Sequence, residues 1–189
     1  GDLVGHVRLF LWNGNSWTQM GNDLDGEEVL SLFGFSVSLA STGTVVAVGG
    51  FENNAGAGHV RAFAWNGAEW VQRGTDLDAK GNFDFFGWDV SLSGDGSDLA
   101  VGARRNNDLT FGYVSIYHWT GSSWEPKGDD LRGEFAGDGF GYSVSLSGDG
   151  MVLAVGAWQR EDDVTTRLGY IKIFEYAGAQ WGQKGQRLV

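Results

Sequence analysis

One stretch of 18 residues occurs three times in this chain and limits its fold more than any other feature. It reads FGFSVSLASTGTVVAVGG at Phe33–Gly50, FGWDVSLSGDGSDLAVGA at Phe86–Ala103 and FGYSVSLSGDGMVLAVGA at Phe140–Ala157. The copies start 53 and 54 positions apart. Self-similarity at such a period marks an architecture of repeated structural units.

Each copy opens on an aromatic–glycine step, which turns the chain into a strand. SVSL or DVSL follows, and its period-two alternation reads as β-strand. Val37, Leu39, Val90, Leu92, Val144 and Leu146 are expected on one face, with the small serines on the other. A turn comes next, Gly-Asp-Gly at 94–96 and 148–150 and Ser-Thr-Gly at 41–43. Asp-Gly between apolar runs is a hairpin signal. The second strand, VVAVGG or LAVGA, is apolar throughout, as a strand covered on both faces would be.

A second unit alternates with the first. It opens at Gly5, Gly58, Gly112 and Gly169, for example GHVRAFAWNGAEW, and again reads strand, tight turn, strand. An aromatic before each turn (Trp12, Trp65, Trp119, Tyr176) faces a tryptophan after it (Trp17, Trp70, Trp124, Trp181). One period therefore holds four antiparallel strands, lettered A to D, which match the blade of a β-propeller. The expected fold is all-β: a half blade at 1–20 and blades at 33–73, 86–127 and 140–185. That is about 3.5 blades, fewer than a closed ring needs, so the chain is expected to be a segment of a longer polypeptide, to assemble with other copies or neighbours, or to form an open array whose ends are covered by something else.

The net charge of −11 argues against a nucleic-acid backbone or an anionic membrane as partner. No cysteine is present, which excludes disulfides and thiolate chemistry. No apolar run approaches the roughly 20 residues of a membrane span.

The A–B and C–D hairpins are short and share one end of every blade. The D–A and B–C connections are longer and share the other end. Binding usually sits on such loops. Trp158, Arg104, Arg105, Asp162 and Asp163 are the candidates there: a tryptophan to stack on a sugar or anchor a protein, arginines to grip an acidic group, and the most charged loop. Asp23, Asp25, Glu27 and Glu28 cluster in the first D–A loop, with Asp76, Asp78, Asp129 and Asp130 in later ones. Turn capping is the simpler reading of these carboxylates. His6 and His59 share a position that tyrosine fills at 113 and 170, which reads as packing.

With the strands placed, the chain resembles the FG-GAP repeat of integrin α N-terminal propellers. FG stands at 33–34, 86–87 and 140–141, and the GA of GAP at 102–103 and 156–157. The proline is absent from all three copies. The resemblance implies a propeller, commonly seven-bladed, acting in adhesion or extracellular recognition at the cell surface. It also raises calcium. The A–B loops here are shorter than the family's calcium loop and offer too few oxygens for a cation that wants about six or more. No cofactor is expected. If calcium enters, the available carboxylates are Asp23, Asp25, Asp95 and Asp98.

The function expected from sequence is a non-enzymatic structural or recognition module that presents loops to a protein partner. A glycan-binding propeller is the alternative. A hydrolase with carboxylates on the loop face is the third reading.

Overall fold

The computed structural model describes residues 4–104, 111–158 and 169–189. Alternating polar and apolar residues, broken by glycine turns, give strands and almost nothing else. The first strands are β1 (His6–Val7), β2 (Phe10–Trp12), β3 (Trp17–Gln19) and β4 (Leu24–Asp25), with β1 paired to β4 and β2 to β3. The first full sheet holds β5 (Ser36–Leu39), β6 (Val45–Gly50), β7 (His59–Trp65), β8 (Trp70–Gln72) and β9 (Leu77–Asp78). The second holds β10 (Phe86–Leu92), β11 (Asp98–Ala103), β12 (Tyr113–Trp119), β13 (Trp124–Pro126) and β14 (Leu131–Arg132). The third holds β15 (Phe140–Leu146), β16 (Val152–Ala157), β17 (Tyr170–Tyr176) and β18 (Trp181–Gln183).

The A–B–C–D order holds in all three sheets, and every pairing is antiparallel. The aromatic pairs meet across the C–D hairpins as expected, with ring centres 5.3 Å apart for Trp12–Trp17 and 5.4 Å for Trp65–Trp70. One detail departs from the sequence reading. The D–A connections are not wholly loops. Their Leu-Asp or Leu-Arg steps form β4, β9 and β14, which pair with the start of strand C. Strand D is therefore interrupted, and its second piece brings Asp76 and Asp78 alongside His59.

Successive sheets stack face to face, and each gap holds an apolar core. Val46, Val48, Phe33, Phe63 and Trp70 pack toward the first strands. Val45, Ala47, Val90, Leu99 and Val101 fill the next gap, and Val144, Leu153 and Val155 the last. Strands β6 and β11 are thus buried on both faces, while β16 alternates because one side of the third sheet is open.

The motif glycines are explained by this stacking. A Cβ on Gly49 would lie 2.2 Å from the Gly87 carbonyl oxygen, and one on Gly102 would lie 2.1 Å from that of Gly141. The FG of one sheet thus passes against Gly49 or Gly102 of the sheet before it, closer than any side chain allows. The small polar residues beside it tie the sheets together. Ser38 Oγ accepts from the Leu92 amide at 3.0 Å, Ser91 Oγ from Leu146 at 2.9 Å, and Asp89 from Val144 at 2.7 Å.

The expected apolar face of strand A needs one correction. Val90, Leu92, Val144 and Leu146 are buried, but Val37 and Leu39 are exposed. Their face looks toward the first strands, where the described residues include no A or B strand to cover it.

Candidate functional site

Strand C begins in the second and third sheets with a tyrosine whose role is structural. The Tyr113 hydroxyl donates to Asp84 at 2.8 Å, and that of Tyr170 donates to Asp138. Both carboxylates are buried two residues before the FG step. Asp138 also accepts the Glu134 and Phe140 amides at 2.9 Å. Burial, and then the neighbouring carboxylate, push both phenols well above the ordinary tyrosine range.

The first sheet breaks this pattern at both positions. His59 stands in place of the tyrosine and Ser31 in place of the aspartate. Ser31 turns its hydroxyl to the Val4 carbonyl at 3.0 Å. The His59 ring is 1% exposed and packs edge-on against Phe33. Its Nε2 has no hydrogen-bond partner among the described residues. Its Nδ1 lies 3.8 Å from Asp76 Oδ2. Burial pushes the imidazole below the usual histidine range, against the pull of Asp76, so the ring is neutral at pH 7.

The exchange borders a cleft of about 510 Å³, lined by Glu27, Glu28, Asn53, His59, Asp76 and Asp78 among others. Asp76 is fixed in it: Gln72 donates to its Oδ1 at 2.7 Å, and Arg61 Nε stands 3.7 Å away. Arg61 also pairs with Glu27 at 3.1 Å. Asn53 and Asn54 also line the cleft, from the turn Asn53–Gly56, where Asn54 (φ 50°) and Ala55 (φ 54°) are both left-handed. Such a conformation in non-glycine residues costs about 1–3 kcal/mol each and gathers at functional sites. Glu28 steadies the turn by accepting the Asn54 amide at 3.1 Å. Four carboxylates against one guanidinium make the cleft electronegative.

A second constellation runs along the strand A starts. Phe35, Trp88 and Tyr142 follow the FG steps of the three sheets. Phe35–Trp88, Trp88–Tyr142 and Tyr142–Trp158 ring centres lie 4.9, 5.6 and 6.0 Å apart. The Arg104 guanidinium stacks on Trp88 with Cζ 3.7 Å from the ring centre.

The residues singled out from sequence are therefore distributed as follows. Arg104 and Trp158 join this row. Arg105, Asp162 and Asp163 lie outside the described residues. Asp23 pairs with Arg8 at 2.7 Å, and Asp25 gives its backbone carbonyl to Arg61 at 3.2 Å. Asp95 closes its own hairpin, accepting Ser93 Oγ at 2.7 Å and the Ser97 amide at 2.9 Å. These bonds hold its carboxyl down at about 2. Asp98 is buried between His118 Nδ1 and Lys127 Nζ, each 2.8 Å away. The four carboxylates named for calcium are not brought together, and no cluster of three or more His, Asp or Glu suited to a metal occurs among the described residues.

Of the cleft residues, Asn53 was not singled out, His59 was read as packing, and Asp76 was read first as a turn-capping carboxylate. Histidine interchanging with tyrosine reads as packing when one position is considered alone. The signal lay in two positions departing together, Ser31 for aspartate and His59 for tyrosine.

Residues 134–171 match the FG-GAP repeat model, so the chain carries an FG-GAP repeat, as its motif indicates. No curated protein sequence matches the chain. Among solved structures, it is similar to a "putative 6-phosphogluconolactonase" of Bacteroides uniformis, with TM-score 0.66 and 14% identity over 98% of this chain and 49% of that one. A second protein so named, from Bacteroides fragilis, aligns with TM-score 0.61 and 18% identity over 95% and 47% of the two chains. A complex of KlAtg21 with the coiled coil of AgAtg16 aligns with TM-score 0.53 and 13% identity over 80% and 43%. The chain thus spans about half the length of the lactonase-named structures. At these identities the likeness is one of fold. It corrects the expectation of a non-enzymatic recognition module: the fold recurs in proteins named as lactonases, so the repeats give no ground for setting catalysis aside.

Proposed function

We propose that this chain is a β-propeller-type segment whose His59 cleft hydrolyses a small, uncharged, hydroxyl-rich substrate of the sugar-lactone or sugar-ester class. The observation that carries this reading is the broken repeat. Where the other sheets have a closed Tyr–Asp pair, this one has a neutral imidazole beside a carboxylate at the border of a polar cleft.

Asp76 Oδ2 is the more solvent-facing member of the pair, and the neutral His59 ring stands behind it. Water bound at Oδ2 gives its proton to the Asp76–His59 pair as its oxygen bonds to the substrate carbonyl carbon. The ring or ester C–O bond then breaks, and the departing oxygen takes the proton back. Such base assistance is worth about 10²–10⁴-fold. Asn53 supplies a neutral amide donor for the carbonyl oxygen. Arg61, bound to Glu27 and Gln72, shapes Asp76 without leaving a free cation for an anionic substrate.

The electronegative lining selects the substrate. A phosphate would meet four carboxylates, so the reading favours an uncharged lactone over a phosphorylated one. The test is pH-stat titration of glucono-1,5-lactone and its 6-phosphate. The neutral lactone is hydrolysed above the spontaneous rate, the phosphate much less, and Asp76→Asn lowers kcat by about 10²-fold or more. A spontaneous rate with both lactones contradicts the reading.

A further inference from the structure

We infer that Arg104 and the aromatic row form a binding subsite for an oxyanion carried on a sugar ring, independent of the hydrolytic cleft. Arg104 has no carboxylate partner among the described residues, in a chain of net charge −11. Arg8, Arg61 and Arg187 each have one, and Arg73, the other arginine stacked on tryptophan, instead donates to the Gly96 carbonyl. The Arg104 guanidinium lies 3.7 Å from the Trp88 ring centre, between Phe85 at 5.6 Å and Tyr142 at 5.9 Å. Its Nε is buried without a hydrogen-bond partner. Burial also pulls the guanidinium below its ordinary pKa, a cost that no carboxylate among the described residues offsets.

Stacking holds the guanidinium plane and, with Nε buried, leaves its terminal N–H donors for a planar or tetrahedral oxyanion. Beyond it the row is partly exposed, Tyr142 at 41% and Trp158 at 52%. These two rings also border a mostly apolar open cavity of about 510 Å³ on the uncovered side of the third sheet, whose lining includes Ser143 and Ser145. An aromatic face beside hydroxyls suits the C–H face and hydroxyl edge of a pyranose, and Arg104 supplies the anion contact. Carboxylate and phosphate sugars share this chemistry.

Isothermal titration with glucuronate, glucose 6-phosphate and glucose tests the assignment and separates the two anion sources. At least one charged sugar binds 10-fold or more tightly than glucose. Whichever binds identifies the source, and both binding means that the oxyanion alone is read. Arg104→Met abolishes the preference, Arg104→Lys keeps part of it, and Trp158→Ala weakens the charged sugars while leaving the melting temperature unchanged. Asp76→Asn binds them as wild type does, which keeps this subsite distinct from the cleft. Equal affinity for all three sugars, or charged-sugar binding undiminished in both Arg104→Met and Trp158→Ala, overturns the assignment.

Discussion

The indole Nε1 of Trp124 donates to the backbone carbonyl of Arg73, 2.7 Å away across the gap between the first and second sheets. The Arg73 guanidinium in turn lies over Trp119 and Trp124 and donates to the Gly96 carbonyl at 3.0 Å. The same clasp recurs one sheet later: Trp181 donates to the Lys127 carbonyl at 2.7 Å, and Lys127 reaches the Gly150 carbonyl at 2.8 Å. At the first gap Trp70 donates to the Met20 carbonyl at 3.0 Å. A repeated unit is joined to its neighbour by one indole and, in two of three gaps, by one cation.

Trp124→Ala is therefore expected to cost about 3–5 kcal/mol in urea unfolding, through lost burial and an unpaired carbonyl. Trp17 holds the equivalent place in the first hairpin but is 66% exposed, against 8% for Trp124. Trp17→Ala should cost less than about 1 kcal/mol. Equal losses for the two variants would show that the inter-sheet clasp contributes nothing.

Asp89 gives the fold a pH signature. It accepts the Val144 amide at 2.7 Å and the Val90 amide at 3.0 Å, yet burial dominates and raises its pKa. An acid with a raised folded pKa binds more protons folded than unfolded. Its contribution is most favourable below the unfolded value of about 4 and is lost as pH rises through the folded value. Asp89→Asn removes this titration but can accept only one of the two amides, so any melting-temperature advantage of the variant over wild type should be largest at pH 7 and shrink toward pH 3. Thermal melts across this range check it, and an advantage that grows on acidification would reverse the sign.

Much of this arrangement is legible in the sequence. The period-two alternation, the glycine turns and the paired tryptophans all act locally, and the strands follow them. What escaped depends on neighbours. Val37 and Leu39 carry the same pattern as Val90 and Leu92 but lie exposed, because burial is set by the adjoining sheet. The short strands β4, β9 and β14 hide in two-residue steps with no periodicity to read. Arg104 and Trp158 were visible as loop residues, but their union with Trp88 and Tyr142 depends on adjacent strand starts meeting between sheets. His59 looked like a packing residue until its aspartate partner was also found replaced.

The turns before each FG step offer a further check. Leu30 (φ 66°) and Leu32 (φ 53°), then Phe83 (φ 58°) and Phe85 (φ 53°), are left-handed where the third copy has Gly137 (φ 75°) and Gly139 (φ 65°). A left-handed non-glycine residue costs about 1–2 kcal/mol, partly offset by the greater chain entropy of glycine when unfolded. Leu30 and Phe83 are both exposed, so little packing is lost on replacement. Leu30→Gly or Phe83→Gly should gain up to about 1 kcal/mol in chemical denaturation, and Gly137→Leu should lose about 1–2 kcal/mol. Stabilities ordered the other way would mean that these side chains hold the turns in place.

The most direct measurement rebuilds the repeat where it is broken. The double variant Ser31→Asp/His59→Tyr restores the pair that joins Tyr113 to Asp84 and Tyr170 to Asp138, and leaves Asp76 untouched. Hydrolysis of glucono-1,5-lactone by this variant and by wild type is followed in the pH-stat, with a thermal melt of each. The variant is expected to melt higher and to show only the spontaneous rate, because it lacks the imidazole and closes the cleft. A well-folded variant that hydrolyses the lactone as fast as wild type would contradict the assignment of the site to His59 and its cleft.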